Sequence, residues 1–366
     1  MKILHIYKDY SPILGGIENH IKTLAELQAA AGHKVTVLVT NPGGQTARQV
    51  INSVNVVRVW RLATVASTPI TPAFLAAIPR LRPDIAHLHF PYPVGEISQW
   101  LAGRSPYVIT YHSDVVRQQA ILRFYRPLLW RVLRGAARIL PTSDRYIATS
   151  PYLSRMPEKC TVVPLSVDPA PFTDAPPLVP PADTPTLLFL GRHRYYKGVD
   201  DLIRAMPDLP ARLLIGGDGP ERSRWEALAA AVGVAARVRF LGNVSDADLP
   251  RLYASADAFV LPANARAEAF GKVLLEAMAA GLPCVTTEVG TGTSFVVQDG
   301  VTGLVTQPNN PAALAAAINR LLEDAELRKK MGEAGRARVQ AEFTPEKLAA
   351  RVERVYQEVL GVRRRG

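Results

Sequence analysis

The chain has 366 residues, which is the length of two domains rather than one. With 48% hydrophobic and 20% charged residues, and no long uncharged apolar run, it is neither disordered nor membrane-spanning. The formal charge of +11 is uneven: residues 1–180 hold 19 Lys and Arg against 10 Asp and Glu, while residues 181–366 hold 24 against 22.

The N-terminus reads as a strand without a signal peptide, which predicts a cytoplasmic protein. Strand and helix signals then alternate at 2–7, 17–31, 34–40, 54–60, 72–80, 85–89, 107–111, 121–134, 139–142 and 161–164. Such alternation predicts a parallel α/β layer structure. Pro164, Pro169, Pro171, Pro176, Pro177, Pro180, Pro181 and Pro185 follow. They forbid regular helix or a central strand and read as a link between domains. Alternation resumes with strands at 186–190, 212–216, 238–241, 258–261, 284–287 and 303–305. Helices read at 197–206, 221–232, 246–255, 270–280, 311–322, 326–341 and 345–360. The expected domains are 1–170 and 182–344. Two doubly wound domains facing a central cleft would bind a ligand outside the carboxyl ends of their strands.

From 115 to 143 there is no acid, while Arg117, Arg123, Arg126, Arg131, Arg134 and Arg138 interleave with apolar residues such as Leu129, Trp130, Val132 and Leu133. A basic amphipathic segment of this kind fits an anionic membrane surface, or a packed helix with a solvated basic face. No nucleic-acid motif appears. Cys160 and Cys284 lie in strand-like runs and read as reduced thiols, with no metal site expected.

Glu268 and Glu276 bracket an apolar segment read as the start of a helix. If it were helical throughout, they would lie about 12 Å apart along the axis. The backbone N–H groups of Phe270, Gly271 and Lys272 would lie between them as an anion cradle. An acceptor carboxylate at each end would fit a sugar, a pyrophosphate and a ribose laid end to end. A dipole-favouring Glu268 and a solvated Glu276 are the plainer possibility. A helix that is apolar all round is buried, however, and a buried carboxylate needs partners.

The loop from Gly191 to Gly198 carries Arg192 and Lys197. A guanidinium and an ammonium can jointly hold a diphosphate. They could equally be a pair of loop cations with no ligand. Gly217 follows the strand at 212–216. Gly15-Gly16-Ile17-Glu18 opens the first helix, where Gly16 could admit a phosphate or simply form a turn. His112, in Tyr111-His112-Ser113-Asp114, sits where a strand ends.

Taken in order, these motifs resemble the retaining glycosyltransferases of family 4, which have the two-domain GT-B fold. Val163 to Asp168, Gly217-Asp218-Gly219-Pro220 and Ala256 to Pro262 belong to the same resemblance, which covers nearly the whole chain. It implies that Glu268 contacts hydroxyls of the donor sugar and Glu276 those of the ribose. Arg192 and Lys197 would neutralise the diphosphate, with the amides of Phe270 and Gly271 near it. His112 would face the transferred sugar, and Gly16 would lie near the phosphate or acceptor. The last helix, 345–366, would return to the first domain. Ser166 and Phe295 depart from the common Gly and Glu. The Tyr-Tyr-Lys-Gly loop and the His-Ser-Asp segment are similar to those of O-antigen mannosyltransferase-like members. That leans the donor toward GDP-mannose, with UDP-linked hexoses open, and the acceptor toward an envelope glycolipid or lipid-linked oligosaccharide. The enzyme would then lie peripherally on the inner face of the membrane.

The resemblance implies retention without a metal, and no carboxylate nucleophile for a double displacement is evident. Asp246-Ala247-Asp248 looks like a metal-binding acidic pair but reads as a helix cap. A nicotinamide dehydrogenase would need G-x-G-x-x-G, which Phe295 interrupts. A sugar-nucleotide epimerase or a non-catalytic two-lobed binding protein would share the same two-domain layout.

Overall fold

The computed structural model describes residues 1–13, 15–65, 68–115 and 119–361, with 119–122 and 124 described by backbone alone. Two compact units emerge. One comprises Met1–Leu165 with Pro345–Gly366, the other Ser166–Thr344.

The first unit holds strands β1 (Lys2–Ile6), β2 (Lys34–Asn41), β3 (Ala47–Ile51) and β4 (Val54–Trp60), the hairpin β5 (Ala63–Val65) and β6 (Thr68–Ile70), then β7 (Ile85–Phe90), β8 (Tyr107–Tyr111) and β9 (Arg138–Pro141). Among the described residues seven of these form one sheet in the order β3-β4-β2-β1-β7-β8-β9. All pairs are parallel except β3 with β4. Its helices are α1 (Gly16–Ala30), α2 (Ala73–Leu81), α3 (Pro93–Ala102), α4 (Gln119–Gly135) and α5 (Asp144–Thr149). β7 and β8 are buried at every position, as strands covered on both faces must be.

The second unit carries β10 (Thr186–Leu190), β11 (Arg212–Gly216), β12 (Val238–Gly242), β13 (Ala258–Leu261), β14 (Cys284–Thr287) and β15 (Gly303–Thr306). They form a parallel sheet in the order β12-β11-β10-β13-β14-β15. Its helices are α6 (Val199–Ala205), α7 (Arg222–Ala231), α8 (Leu249–Tyr253), α9 (Lys272–Ala279), α10 (Thr293–Val296), α11 (Pro311–Glu323) and α12 (Ala325–Glu342). Asn310 caps α11 by accepting from the Ala313 N–H at 3.0 Å, with Pro311 following at the first helical position.

The last helix, α13 (Pro345–Val359), buries Leu348, Val352, Val355 and Tyr356, spaced to share one face. That face meets α1, where Gln28 Nε2 donates to Tyr356 Oη at 3.4 Å, and just past the end of α1 His33 Nε2 lies 3.1 Å from Glu353. The tail beyond residue 361 lies outside the described residues.

Several expected elements differ. Residues 161–164 form no strand. The N–H groups of Thr161 and Val163 do bond to Ile139 and Pro141, but Pro164 has no N–H to continue a ladder. Cys160 is therefore not in a strand, whereas Cys284 is, and both are free thiols. The proline-rich stretch packs on the second unit: the Leu178 N–H bonds to Arg251 and Phe172 lies edge-on to Tyr253. The helices expected from 197 and 270 begin later, at Val199 and Lys272. Asp248 stands at the start of α8 without a side-chain cap bond, because its carboxylate accepts from the Ser245 hydroxyl instead.

In α4 the described arginines Arg123, Arg126, Arg131 and Arg134 are exposed, while Leu129, Val132 and Leu133 are fully buried. The apolar side of the basic segment is therefore core, and the face turned to water is cationic. Arg117 lies outside the described residues. Among the described residues no helix is long and apolar enough to cross a membrane.

Candidate active site

β10, β11 and β13 are parallel neighbours, so the loops that follow them leave the same edge of the sheet. The loop after β10 carries Arg192 and ends in a 3-10 turn, Tyr195–Lys197. The loop after β11 passes close beneath it. A Cβ on Gly217 (φ 101°) would stand 2.1 Å from the Gly191 carbonyl oxygen. Gly217 is thus required by loop-on-loop packing. The Gly217 N–H bonds to Gly242 and the His193 N–H to the Asp218 carbonyl.

The loop after β13 is anchored on both sides. The Asn264 N–H bonds to Tyr196, the Thr291 hydroxyl donates to the Glu268 carbonyl at 2.6 Å, and the Gly292 N–H bonds to Ala269. This holds the Glu268 side chain against Lys197. Lys197 Nζ lies 2.5 Å from Glu268 Oε2, with the two side chains 10% and 9% exposed. Burial alone lowers Lys197, but Glu268, Tyr196 and Glu276 outweigh it and its pKa ends above the usual value. An ammonium has three donors, and one is spent on Glu268. Arg192 is exposed and makes no hydrogen bond or ion pair among the described residues.

Gly271 breaks the helix expected to run from 270. It adopts φ 80° and ψ 56°, and a Cβ there would meet Leu274 at 2.9 Å and Leu261 at 3.0 Å. Glu268 therefore stands in the loop ahead of α9, and the axial spacing expected for the pair does not apply. Phe270 is buried beneath the turn. The N–H groups of Gly271 and Lys272 belong to the cap and first turn, where a helix offers no internal acceptor.

Glu276, on α9, is 13% exposed and has the partners that burial demands. Tyr253 Oη donates to Oε2 at 2.9 Å, and Lys272 Nζ lies 3.7 Å from Oε1. Desolvation raises its pKa; Lys272 and the Tyr253 bond pull it down, and Asp246 pushes it up again. Phe295, where the family often has Glu, is turned to a different use. It packs 6.2 Å from Phe343, with the Arg338 guanidinium 5.8 Å from its ring centre.

The remaining expected residues belong to the first unit. At the start of α1 a Cβ on Gly16 would meet nothing within 4 Å, whereas one on Gly15 would stand 2.1 Å from Glu18 Oε2. The tight position is Gly15, and Gly16 faces open space. His112 follows β8 and is 7% exposed, with Nε2 3.3 Å from His89 Nδ1. Burial holds its pKa well below the usual value.

His112 belongs to a histidine cluster that sequence reasoning missed. His5, His20, His87, His89 and His112 are all buried, five of the seven histidines in the chain. The signal was present in His87-Leu88-His89, two histidines on one face of a strand, with His5 in register with His87. Two groups of three, His5-His87-His89 and His20-His89-His112, have ring nitrogens within 4.8 Å of one another, a spacing that can hold a metal ion. No metal was expected from the sequence.

Comparisons with known proteins agree with this architecture. Residues 14–170 match the sequence profile described as Glycosyltransferase Family 4, and residues 173–338 the one described as Glycosyl transferases group 1. The chain is 36% identical to the D-rhamnosyltransferase WbpZ of Pseudomonas aeruginosa, over 94% of this chain and 92% of that protein. It is 32% identical to the O-antigen chain mannosyltransferase C of Escherichia coli, over 98% of this chain and 99% of that one. Among solved structures it is similar to a sucrose-phosphate synthase from Thermosynechococcus elongatus, at 25% identity and a TM-score of 0.81, covering 99% of this chain and 100% of that one. It shares its fold with Anabaena HepE in complex with UDP, at 20% identity and a TM-score of 0.80, covering 98% and 100%. With both halves matched in order, one on a mostly parallel and one on a wholly parallel Rossmann-like sheet, the chain belongs to glycosyltransferase family 4 and has the GT-B fold.

Proposed function

We propose that this glycosyltransferase moves a hexose, with mannose favoured, from a nucleoside diphosphate sugar to a hydroxyl of a lipid-linked or polysaccharide acceptor in envelope glycan synthesis. Transfer proceeds with retention at the anomeric carbon. The observation that carries the reading is the buried Lys197–Glu268 pair at the strand edge of the second unit, with the tyrosine-held carboxylate of Glu276 on the helix that follows. In this reading Glu276 accepts from the ribose hydroxyls and Glu268 from the sugar, while Lys197 and Arg192 meet the diphosphate. The amides of Phe270, Gly271 and Lys272 share that negative charge, and His112 contacts the transferred sugar.

Departure of the diphosphate is the step these residues assist. Each well-placed donor to a developing charge is worth about 3–4 kcal/mol. Cations and amides do this work in the proposal without a metal. The mannosyl- and rhamnosyltransferase names of the two relatives support GDP-linked mannose or a related sugar, and the UDP bound to HepE keeps UDP-hexoses as the rival donor. The exposed arginines of α4 supply a cationic face for an anionic bilayer.

A thermal-shift screen of GDP-, UDP-, ADP- and dTDP-sugars tests the donor, because a ligand bound only by the folded state raises Tm. GDP-mannose is expected to give the largest shift, and a shift confined to UDP-sugars overturns that choice. Incubation with the preferred donor and a lipid-linked acceptor, followed by NMR of the product, should show the donor's anomeric configuration kept. Activity should survive a strong chelator; loss restored only by a divalent ion rejects the metal-free mechanism. Liposome flotation tests the bilayer, and equal recovery with and without anionic lipid removes it.

A further inference from the structure

The histidine cluster is strung on one continuous chain of hydrogen bonds. It begins at Thr110 on β8, whose Oγ1 lies 2.6 Å from His87 Nε2. His87 Nδ1 lies 2.6 Å from Tyr356 Oη on α13. Tyr356 accepts from Gln28 Nε2 at 3.4 Å, and Gln28 Oε1 lies 2.7 Å from His5 Nε2. His5 Nδ1 is 3.0 Å from His89 Nε2, and His89 Nδ1 is 3.3 Å from His112 Nε2. The path leaves β8, crosses β7, α13, α1, β1 and β7 again, and returns to His112, two residues beyond its start. Every member is buried.

A neutral imidazole has one N–H and one bare nitrogen, so each ring passes the polarity of its neighbour along. The Gln28 carbonyl oxygen can only accept. With the Gln28 oxygen turned to His5, His5 carries its proton on Nε2, leaving Nδ1 to accept from His89 Nε2–H. His89 Nδ1 must then accept from His112 Nε2–H. On the other arm the Gln28 amide donates to Tyr356, whose hydroxyl donates to His87 Nδ1, whose Nε2–H donates to Thr110. Every hydrogen bond in the chain is satisfied with all donors pointing one way. His112 Nδ1 is left as a bare lone pair, with no hydrogen bond among the described residues.

We propose that Gln28, through His5 and His89, is a positioning residue that sets the tautomer of His112, so that His112 meets its ligand as a hydrogen-bond acceptor at Nδ1 and never as a donor. That the ligand is a hydroxyl of the transferred sugar rests on the function proposed above; the tautomer does not. The neutrality the argument needs agrees with burial, which lowers His5, His87, His89 and His112 alike. A reversed Gln28 amide would invert every bond and turn His112 Nδ1 into a donor, so the chain has two polarities and one residue selects between them.

Long-range proton–nitrogen NMR of histidine-labelled protein reads the tautomer directly, with His112 assigned by its loss in His112→Ala. The expected spectrum shows His112 as the Nε2–H tautomer at pH 7. An Nδ1–H tautomer, an imidazolium, or a shifted signal that a chelator abolishes because a metal holds the ring overturns the proposal. In Gln28→Leu the His112 signal should become a mixture of tautomers, and turnover should fall roughly tenfold for one misdirected hydrogen bond, with binding of the free nucleotide unchanged. If Gln28→Leu does not fold, Tyr356→Phe frees the same amide and should give the same mixture. A folded variant that keeps the wild-type tautomer refutes the relay. A tautomer that shifts with turnover unchanged supports the relay and instead rejects the sugar contact of His112.

Discussion

Lys197 Nζ and Glu268 Oε2 stand 2.5 Å apart, 71 residues distant in sequence and both nearly sealed from water. Removing one partner of such a pair strands the other charge, which costs about 3–5 kcal/mol, whereas replacing both costs far less. Lys197→Ala and Glu268→Ala should therefore each lower the urea midpoint of the second unit sharply. Lys197→Met combined with Glu268→Leu should recover most of that loss while remaining inactive. If the double variant is as unstable as the sum of the singles, the two charges are not coupled.

Glu276 is raised by burial and pulled down by Lys272 and the Tyr253 hydroxyl. Its ionised form is the one that accepts from hydroxyls. Donor KM should therefore rise as pH falls and Glu276 takes up a proton. Tyr253→Phe removes a bond to the charged form and should move that rise to higher pH. Asp246→Asn removes a repelling charge and should move it to lower pH. Donor KM profiles of the three proteins that superimpose would remove Glu276 from the donor site.

The two glycine positions Gly16 and Gly217 separate space from function. Gly16→Ala, at the start of α1, meets no atom within 4 Å and adds a better helix former, so it should fold and gain up to about 1 kcal/mol. A loss of transfer activity in that stable variant would mean that a ligand occupies the open space; full activity means that none does. Gly217→Ala is the opposite case. Its Cβ falls 2.1 Å from a backbone oxygen and its φ is left-handed, so it should destabilise by more than about 1 kcal/mol, as strained glycine sites do. Thermal unfolding of both variants checks the pair.

The strands of the second sheet were legible to the residue at 186–190, 212–216, 258–261 and 284–287. Buried parallel strands are short apolar runs bounded by Gly, Pro and polar residues, and the pattern ends where the burial ends. The starts of α6 and α9 were not. Gly198 and Gly271 are left-handed, and helical periodicity says nothing about the conformation of a glycine at a boundary. Glu268, Lys197 and Glu276 could be named from motifs, but their mutual pairing is a tertiary fact. The histidines were harder still. His5, His20, His87, His89 and His112 are scattered over three elements and a loop, and each alone reads as an ordinary core residue. The basic face of α4 was legible as a run of arginines, and the apolar residues between them turn inward to the core.

That cluster gives the first unit a pH dependence whose sign can be worked out. Burial pushes His5 down to about 4, partly offset by its bond to Gln28, and holds His87, His89 and His112 well below their usual value. Between the folded value and the unfolded value near 6.5, the unfolded chain binds more protons, so stability is full above 6.5 and falls as the pH drops toward 4. For His5 alone that span is on the order of 3 kcal/mol. Glu96 opposes it. Burial, partly offset by bonds from Tyr125 and the Tyr92 N–H, raises its carboxyl to about 7. The folded unit therefore keeps a proton that the unfolded chain gives up, and acidification from 7 to 4.5 favours folding through this group. Glu18, also raised by burial, acts in the same sense, and two carboxyls against four histidines leave a net loss on acidification. Hydrogen exchange in β1 and β7 should report a fall in local stability from about pH 7 to about pH 5, made shallower by His89→Phe. Protection that is flat or rises over this range would mean that the buried rings do not stay neutral in the fold.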